Sequence, residues 1–156
     1  VRVTVTAWRI FKPKHAAAAF TGEGARLYGG RWNSKGTAVV YAAGSAALAA
    51  LELLVHLAPQ RMLELYQLCD VTFDEKIVKQ VSHADLPANW RSDPAPQALK
   101  EIGDLWIASQ TSAALRVPSA VIDTESNYLL NPAHPDFSRI QIGRARPFRL
   151  DPRLAK

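Results

Sequence analysis

Gly29-Gly30-Arg31-Trp32-Asn33, then Val39-Val40-Tyr41, then Ala49-Ala50-Leu51-Glu52-Leu53-Leu54-Val55, sets a turn, a strand and a helix in quick succession. Two consecutive glycines let the backbone turn sharply just before Arg31. Asn33-Ser34-Lys35-Gly36 reads as a further turn, so Arg31-Trp32 and residues 37–41 are predicted to pair as a hairpin. Gly44-Ser45 ends that strand, Ser45 is a predicted N-cap, and a helix is predicted over 46–57, stopped by Pro59. Glu52 is the odd residue in that helix. An ionised carboxylate in so apolar a run is costly unless it is paired or lies at the edge of a cavity. An ion pair with Arg31, a pairing with His56 one turn on, and a place in a site all remain open.

Outward from this stretch, Val1 to Ile10 alternates β-branched and polar residues and is predicted to be a strand. Residues 16–19 allow a short helix, and Thr21-Gly22-Glu23-Gly24-Ala25 reads as a loop by its glycines. Residues 62–73 are predicted to be a strand, 83–96 a proline-rich loop, and 97–109 a helix continuing towards Thr111. Residues 115–122 read as a strand with Pro118 at an edge, residues 127–132 as turn, and 140–142 and 147–150 as closing strands. Six or more short strands with two or three helices, and no regular βαβ alternation, predict an α+β fold.

A chain of 156 residues with 48% apolar and 21% charged residues predicts one globular domain over residues 1–156 rather than disorder or a membrane protein. The longest apolar run, 42–57, carries Gly44, Ser45, Glu52 and His56 and is too short and polar to span a bilayer. With no leader visible and a single cysteine, Cys69, a reducing cytoplasm is the expected location. Four scattered histidines and one cysteine argue against a metal site. The net charge of +5 gathers towards the C-terminus, in Arg139, Arg144, Arg146, Arg149, Arg153 and Lys156. Such a run suits a nucleic acid, an acidic protein or an anionic ligand.

For chemistry, a lone carboxylate facing a cleft can stabilise positive charge developing on a sugar ring. Arg31 can clamp a phosphate, and Tyr41 can stack on a planar ligand. Asp104 and Glu125 are the other tempting acids, and neither is spaced as a glycosidase partner. Ser119 is not in a nucleophile-elbow sequence. The four tryptophans are predicted to be core.

As a set, in order, these residues resemble the RES domain family, named for an arginine, a glutamate and a serine. The matching segments are Trp8-Arg9-Ile10, Gly29 to Asn33, Val39 to Ala43, Leu51-Glu52 with Val55-His56, Gly103 to Trp106, Val117-Pro118-Ser119-Ala120 and Asn127 to Pro135. The resemblance implies a compact ADP-ribosyltransferase-like fold of mixed short-stranded sheets with a few helices. It implies the toxin of a type II toxin–antitoxin pair, held by an Xre-like helix-turn-helix antitoxin, with DNA contacted only through that partner. It implies an enzyme that depletes NAD by cleaving the nicotinamide–ribose bond, by hydrolysis or phosphorolysis, without a metal. Carried over, Arg31 is the family arginine and diphosphate clamp, Tyr41 the nicotinamide-side aromatic and Glu52 the glutamate. Ser119 is the serine, expected to hydrogen-bond the cofactor, with Ser112 and Ser126 as alternatives. Tyr28, Arg9 and Asn127 complete the NAD-binding set. The alternatives are a protein ADP-ribosyltransferase using the same pocket, or a non-catalytic basic interaction module in which Arg31 and Glu52 form a structural pair.

Overall fold

The computed structural model describes residues 1–155; Lys156, the last of the C-terminal basic residues, lies outside them. The predicted N-terminal strand forms β1 (Thr4–Phe11), which pairs antiparallel along its full length with β3 (Tyr66–Asp74), from Thr4 opposite Asp74 to Phe11 opposite Gln67. The other edge of β1 meets β2 (Val40–Ala43), with Trp8 opposite Ala43. From β2 the sheet continues through β6 (Ser126–Leu130) and β5 (Ala114–Pro118) to β4 (Val78–Gln80). The β4–β5 pair is parallel. On the far side, β7 (Gln141–Ile142) and β8 (Arg146–Phe148) both pair with β3. One eight-stranded sheet results, with helices α1 (Glu23–Tyr28), α2 (Ala46–Leu54) and α3 (Gln97–Ser109) around it. The architecture is α+β, as the sequence predicts. Among the described residues no helix is long and apolar enough to cross a membrane.

Strand alternation places two cores on opposite faces of the sheet. Ala114, Tyr128 and Leu130 join Ala7, Val40, Val71 and Phe73 on one side. Leu115, Val117 and Leu129 join Trp32, Val39, Leu99 and Trp106 on the other. The second core is where α3 packs. Helix α2 lies on β1 and β2 through Leu48 and Ala49, against Ala43, Trp8 and Ile10. Its N-cap is as predicted, Ser45 Oγ accepting from the Leu48 N–H at 3.0 Å. The helix ends at Leu54, short of residue 57, and Pro59 instead opens a separate 3-10 turn.

Four sequence expectations are overturned. Residues 31–41 form no hairpin: Gly30 and Asn33 make an isolated bridge, and β2 pairs only with β1 and β6. The buried Asn33 side chain ties this segment together and takes the place of a ladder. Residues 21–25 are not all loop, because α1 begins at Glu23 and its glycine marks the start instead. Gly22 sits at φ 77, with the Val39 amide nitrogen only 2.7 Å from where a Cβ would be. Residues 127–130 are strand, not turn. Tyr128 and Leu130 on one face and Leu129 on the other are buried between β2 and β5, and that burial overrides the asparagine at the strand start. Finally, α3 does not continue to Thr111: Gln110 takes a left-handed conformation, φ 55, and ends it without a glycine.

Candidate functional site

The Gly29 to Ser34 loop is held from three directions. Asn33 is fully buried, and its Nδ2 donates to the carbonyls of Ala25, Ser34 and Thr37 at 2.9, 3.1 and 3.1 Å. The Tyr41 hydroxyl donates to Asn33 Oδ1 at 2.6 Å and accepts from the Trp32 N–H at 3.0 Å. Gly30 lies under that hydroxyl, 2.6 Å from its Cβ position, so a side chain there would displace Tyr41. Helix α3 closes the third side: Lys100 Nζ donates to the Gly30 carbonyl at 2.8 Å, and Asp104 Oδ1 accepts from the Ser34 N–H at 2.9 Å. Between those two residues Gly103 presents bare backbone to the Trp32 carbonyl.

This framework presents Arg31, half-buried, with Nη1 donating to the carbonyls of Trp90 and Ser92 at 3.1 and 2.9 Å. Arg9, on β1, donates from Nε to the Ala19 carbonyl at 2.7 Å and from Nη1 to the Tyr41 carbonyl at 2.9 Å. Burial lowers its pKa from the ordinary arginine value, yet an arginine stays charged. The Tyr41 hydroxyl is pushed well above the usual tyrosine range. Burial is the main cause; the Trp32 N–H opposes it, and the Asp104 charge adds to it.

Glu52 is the single charge on α2, and its Oε1 accepts from Ser119 Oγ at 2.7 Å and Asn127 Nδ2 at 2.8 Å. Ser119 is wholly buried at the end of β5, and its Oγ also accepts from the Val121 and Ile122 N–H groups, both at 3.1 Å. One donated proton and two accepted bonds exhaust a hydroxyl. In this structure the Ser119 hydroxyl is engaged within the chain, donating to Glu52 and accepting from two backbone N–H groups. Of the alternatives, Ser112 is occupied with Trp106 Nε1 and the Ala114 carbonyl. Asn127 Oδ1 is buried without a partner.

Arg9, Arg31, Tyr41, Glu52 and Asn127 line one cleft of about 580 Å³, with Trp8, Lys100 and His56 also in its wall. The volume lies within the usual range for small-molecule sites. Tyr28 is not brought there: it is 79% exposed at the end of α1 and outside the cleft wall. Trp32 and Trp106 are core, but Trp8 is half-buried in the cleft wall rather than core. Among the described residues no ion pair joins Arg31 to Glu52, or either to any other side chain. Arg9, Arg31 and Lys100 rest on neutral carbonyls and Glu52 on neutral donors, and the wall also holds Asp93 and Glu23, the latter paired with Arg26.

Sequence reasoning missed Asn33 as a buried tie and Lys100 as a wall residue. The spacing Lys100, Gly103, Asp104 on one face of a helix was the available signal. The Asn131 to Pro135 segment closes a turn instead of contributing to the cleft. Asn131 Oδ1 accepts from the Ala133 N–H, and His134 Nδ1 accepts from the Asp136 N–H while its Nε2 meets the Gln110 carbonyl.

Comparison with known proteins gives a consistent picture. The RES domain family model matches residues 6–151. A protein named Toxin Res from Yersinia enterocolitica is 42% identical over 149 residues, spanning 94% of this chain and 97% of the relative. A protein of Sphingobium sp. (strain YBL2) named Prs ADP-ribosylating toxin is 36% identical, with 99% of each chain covered. Among solved structures, the M. tuberculosis MbcT–MbcA toxin–antitoxin complex contains a chain of similar fold, with a TM-score of 0.78 at 18% identity over 99% of this chain and 88% of that one.

Proposed function

The chain belongs to the RES domain family, and from that premise we propose that it is the toxin of a toxin–antitoxin pair whose cleft breaks the nicotinamide–ribose bond of NAD. The observation that carries this reading is that Arg31, Arg9 and Glu52 line one cleft without pairing with one another, each held by neutral groups. NAD bears a dianionic diphosphate at its middle and a cationic nicotinamide at one end, and the arginines and the carboxylate match those two parts. Arg31 and Arg9 take the diphosphate, and the Tyr41 ring faces the nicotinamide. Glu52 keeps Oε2 for the ribose, because Ser119 and Asn127 occupy Oε1.

Bond cleavage sends the glycosidic electron pair to the nicotinamide nitrogen, which leaves neutral and needs no general acid. The positive charge left on the ribose is stabilised by Glu52. A nucleophile then attacks C1′; water gives up its proton to solvent, and phosphate would add directly. The same step with a protein side chain as acceptor makes a protein ADP-ribosyltransferase, a reading favoured by the name of the 36% identical relative. A non-catalytic basic module relied on a structural Arg31–Glu52 pair, and no such pair supports it. The partner we propose is an Xre-like helix-turn-helix antitoxin, in keeping with the toxin–antitoxin complex that shares the fold. The exposed Arg144, with Arg146 (paired with Asp70) and Arg149 (bonded to the Leu63 carbonyl), offers it a basic docking surface.

Glu52→Gln tests the reading. A glutamine oxygen still accepts from Ser119 and Asn127, so the fold is retained while the charge is lost. A unit charge about 4 Å from the reacting carbon at an effective dielectric near 20 is worth ~4 kcal/mol, about a thousandfold in rate. Purified protein is incubated with NAD, with and without phosphate, and the products are identified by mass. A variant that depletes NAD at the wild-type rate refutes the assignment.

A further inference from the structure

We infer that Lys100 is a second cationic arm of the cleft, recognising the diphosphate ester of the substrate beside Arg31. The inference deepens the reading above and rests on it. Lys100 stands on the first turn of α3, half-buried and in the cleft wall. Its ammonium donates one proton to the Gly30 carbonyl at 2.8 Å, and Gly30 is the residue directly before Arg31. Lys100 is thus tied to the residue next to Arg31, and both side chains line the same cleft.

Neither has a carboxylate within ion-pair reach among the described residues. Asp104, one turn along the same helix face, spends Oδ1 on the Ser34 N–H, and Glu101 is exposed. Both cations line the same cleft, are partly withdrawn from water and rest on neutral carbonyls, so an anionic ligand entering the cleft meets two positive groups with no carboxylate partner of their own. Tying down the Gly30 carbonyl requires only a neutral donor. The choice of an ammonium, with two further N–H groups unspent, is explained by a ligand carrying more than one negative charge. A diphosphate ester carries one on each phosphoryl group, which gives Arg31 and Lys100 one each.

Calorimetric titration of the full chain with ADP-ribose, at low and high salt, tests this. Lys100→Gln keeps an N–H for the Gly30 carbonyl and removes the charge. Its melting temperature is expected to fall by only a few degrees, as the tie to Gly30 changes from a charged to a neutral donor, while ADP-ribose binding weakens about tenfold or more. That gap should narrow at high salt, as a charge contact requires and a purely structural role does not. Lys100→Arg should recover most of the affinity. Unchanged affinity in Lys100→Gln, with Arg31→Ala still weakening binding, overturns the role of Lys100 and leaves the NAD reading standing. A gap indifferent to salt also overturns it. A wild-type chain that does not bind ADP-ribose overturns both.

Discussion

Gly103→Ala should destabilise the protein, although helix propensity alone gives the opposite sign. Within a helix, alanine is favoured over glycine by about 1 kcal/mol. At Gly103 a Cβ would fall on the Trp32 carbonyl oxygen, with the Trp32 Cβ only 3.4 Å away. That oxygen cannot swing aside, since its loop is tied by Asn33, by Lys100 through the Gly30 carbonyl and by Asp104 through the Ser34 N–H. Helix α3 must retreat instead. Overpacking of this kind costs about 1–3 kcal/mol. Loosening two charge-assisted hydrogen bonds adds ~1.5–3 kcal/mol apiece if each is lost outright. With one of the two bonds lost and the ~1 kcal/mol propensity gain set against it, a net loss of about 1.5–5 kcal/mol is expected, a melting point lower by roughly 3–20 °C for a chain of this size. Urea denaturation measures the first and a thermal scan the second. ADP-ribose binding should fall in the same variant, because Arg31 rides on the displaced loop. A melting point equal to or above wild type would show that α3 is not packed backbone to backbone on this loop.

Two further outcomes follow from the same geometry. Ser119→Ala leaves the Val121 and Ile122 N–H groups without their acceptor and frees Glu52, so about 2–4 kcal/mol of stability should be lost together with most of the NAD cleavage. Combined with Glu52→Gln in a double-mutant cycle on cleavage rate, the two changes should couple by ~1 kcal/mol or more, and strict additivity would remove Ser119 from the support of Glu52. Tyr41 retains its proton in the folded chain beyond the point where an unfolded tyrosine loses it, near pH ~10. Its contribution is therefore full below that pH and is lost as pH rises above it. Tyr41→Phe should be less stable at neutral pH and show a flatter alkaline limb; identical alkaline limbs in stability-versus-pH curves would contradict the buried hydroxyl.

What the sequence made legible was whatever one segment could declare alone. Helix α3 shows in the spacing of Leu99, Ile102 and Trp106, α2 in its Ser45 cap, and β1 in its alternation. Glu52 stood out as the lone charge in an apolar helix and Arg31 by the two glycines before it. Illegible were features created by distant neighbours. Residues 127–130 look like a turn until β2 and β5 bury both of their faces, and residues 31–41 look like a hairpin until Asn33 goes inside and takes three carbonyls. The neutral partners of the cleft charges were equally hidden. No spacing rule links a helix glutamate to a serine 67 residues away or an asparagine 75 away, or an arginine to two loop carbonyls about sixty residues on.

Those separations set an order of events at the ribosome. Arg31, Tyr41 and Glu52 are all made early, but the two groups that aim the carboxylate come last and need β5 and β6 in the sheet. At ~5–20 residues per second, the 75 residues between Glu52 and Asn127 occupy about four to fifteen seconds of synthesis. Throughout that interval the nascent chain carries the cleft's residues without the cleft. On the function proposed above, the carboxylate is aimed only once β5 and β6 have joined the sheet, so a nascent chain stays inactive until those strands are in place.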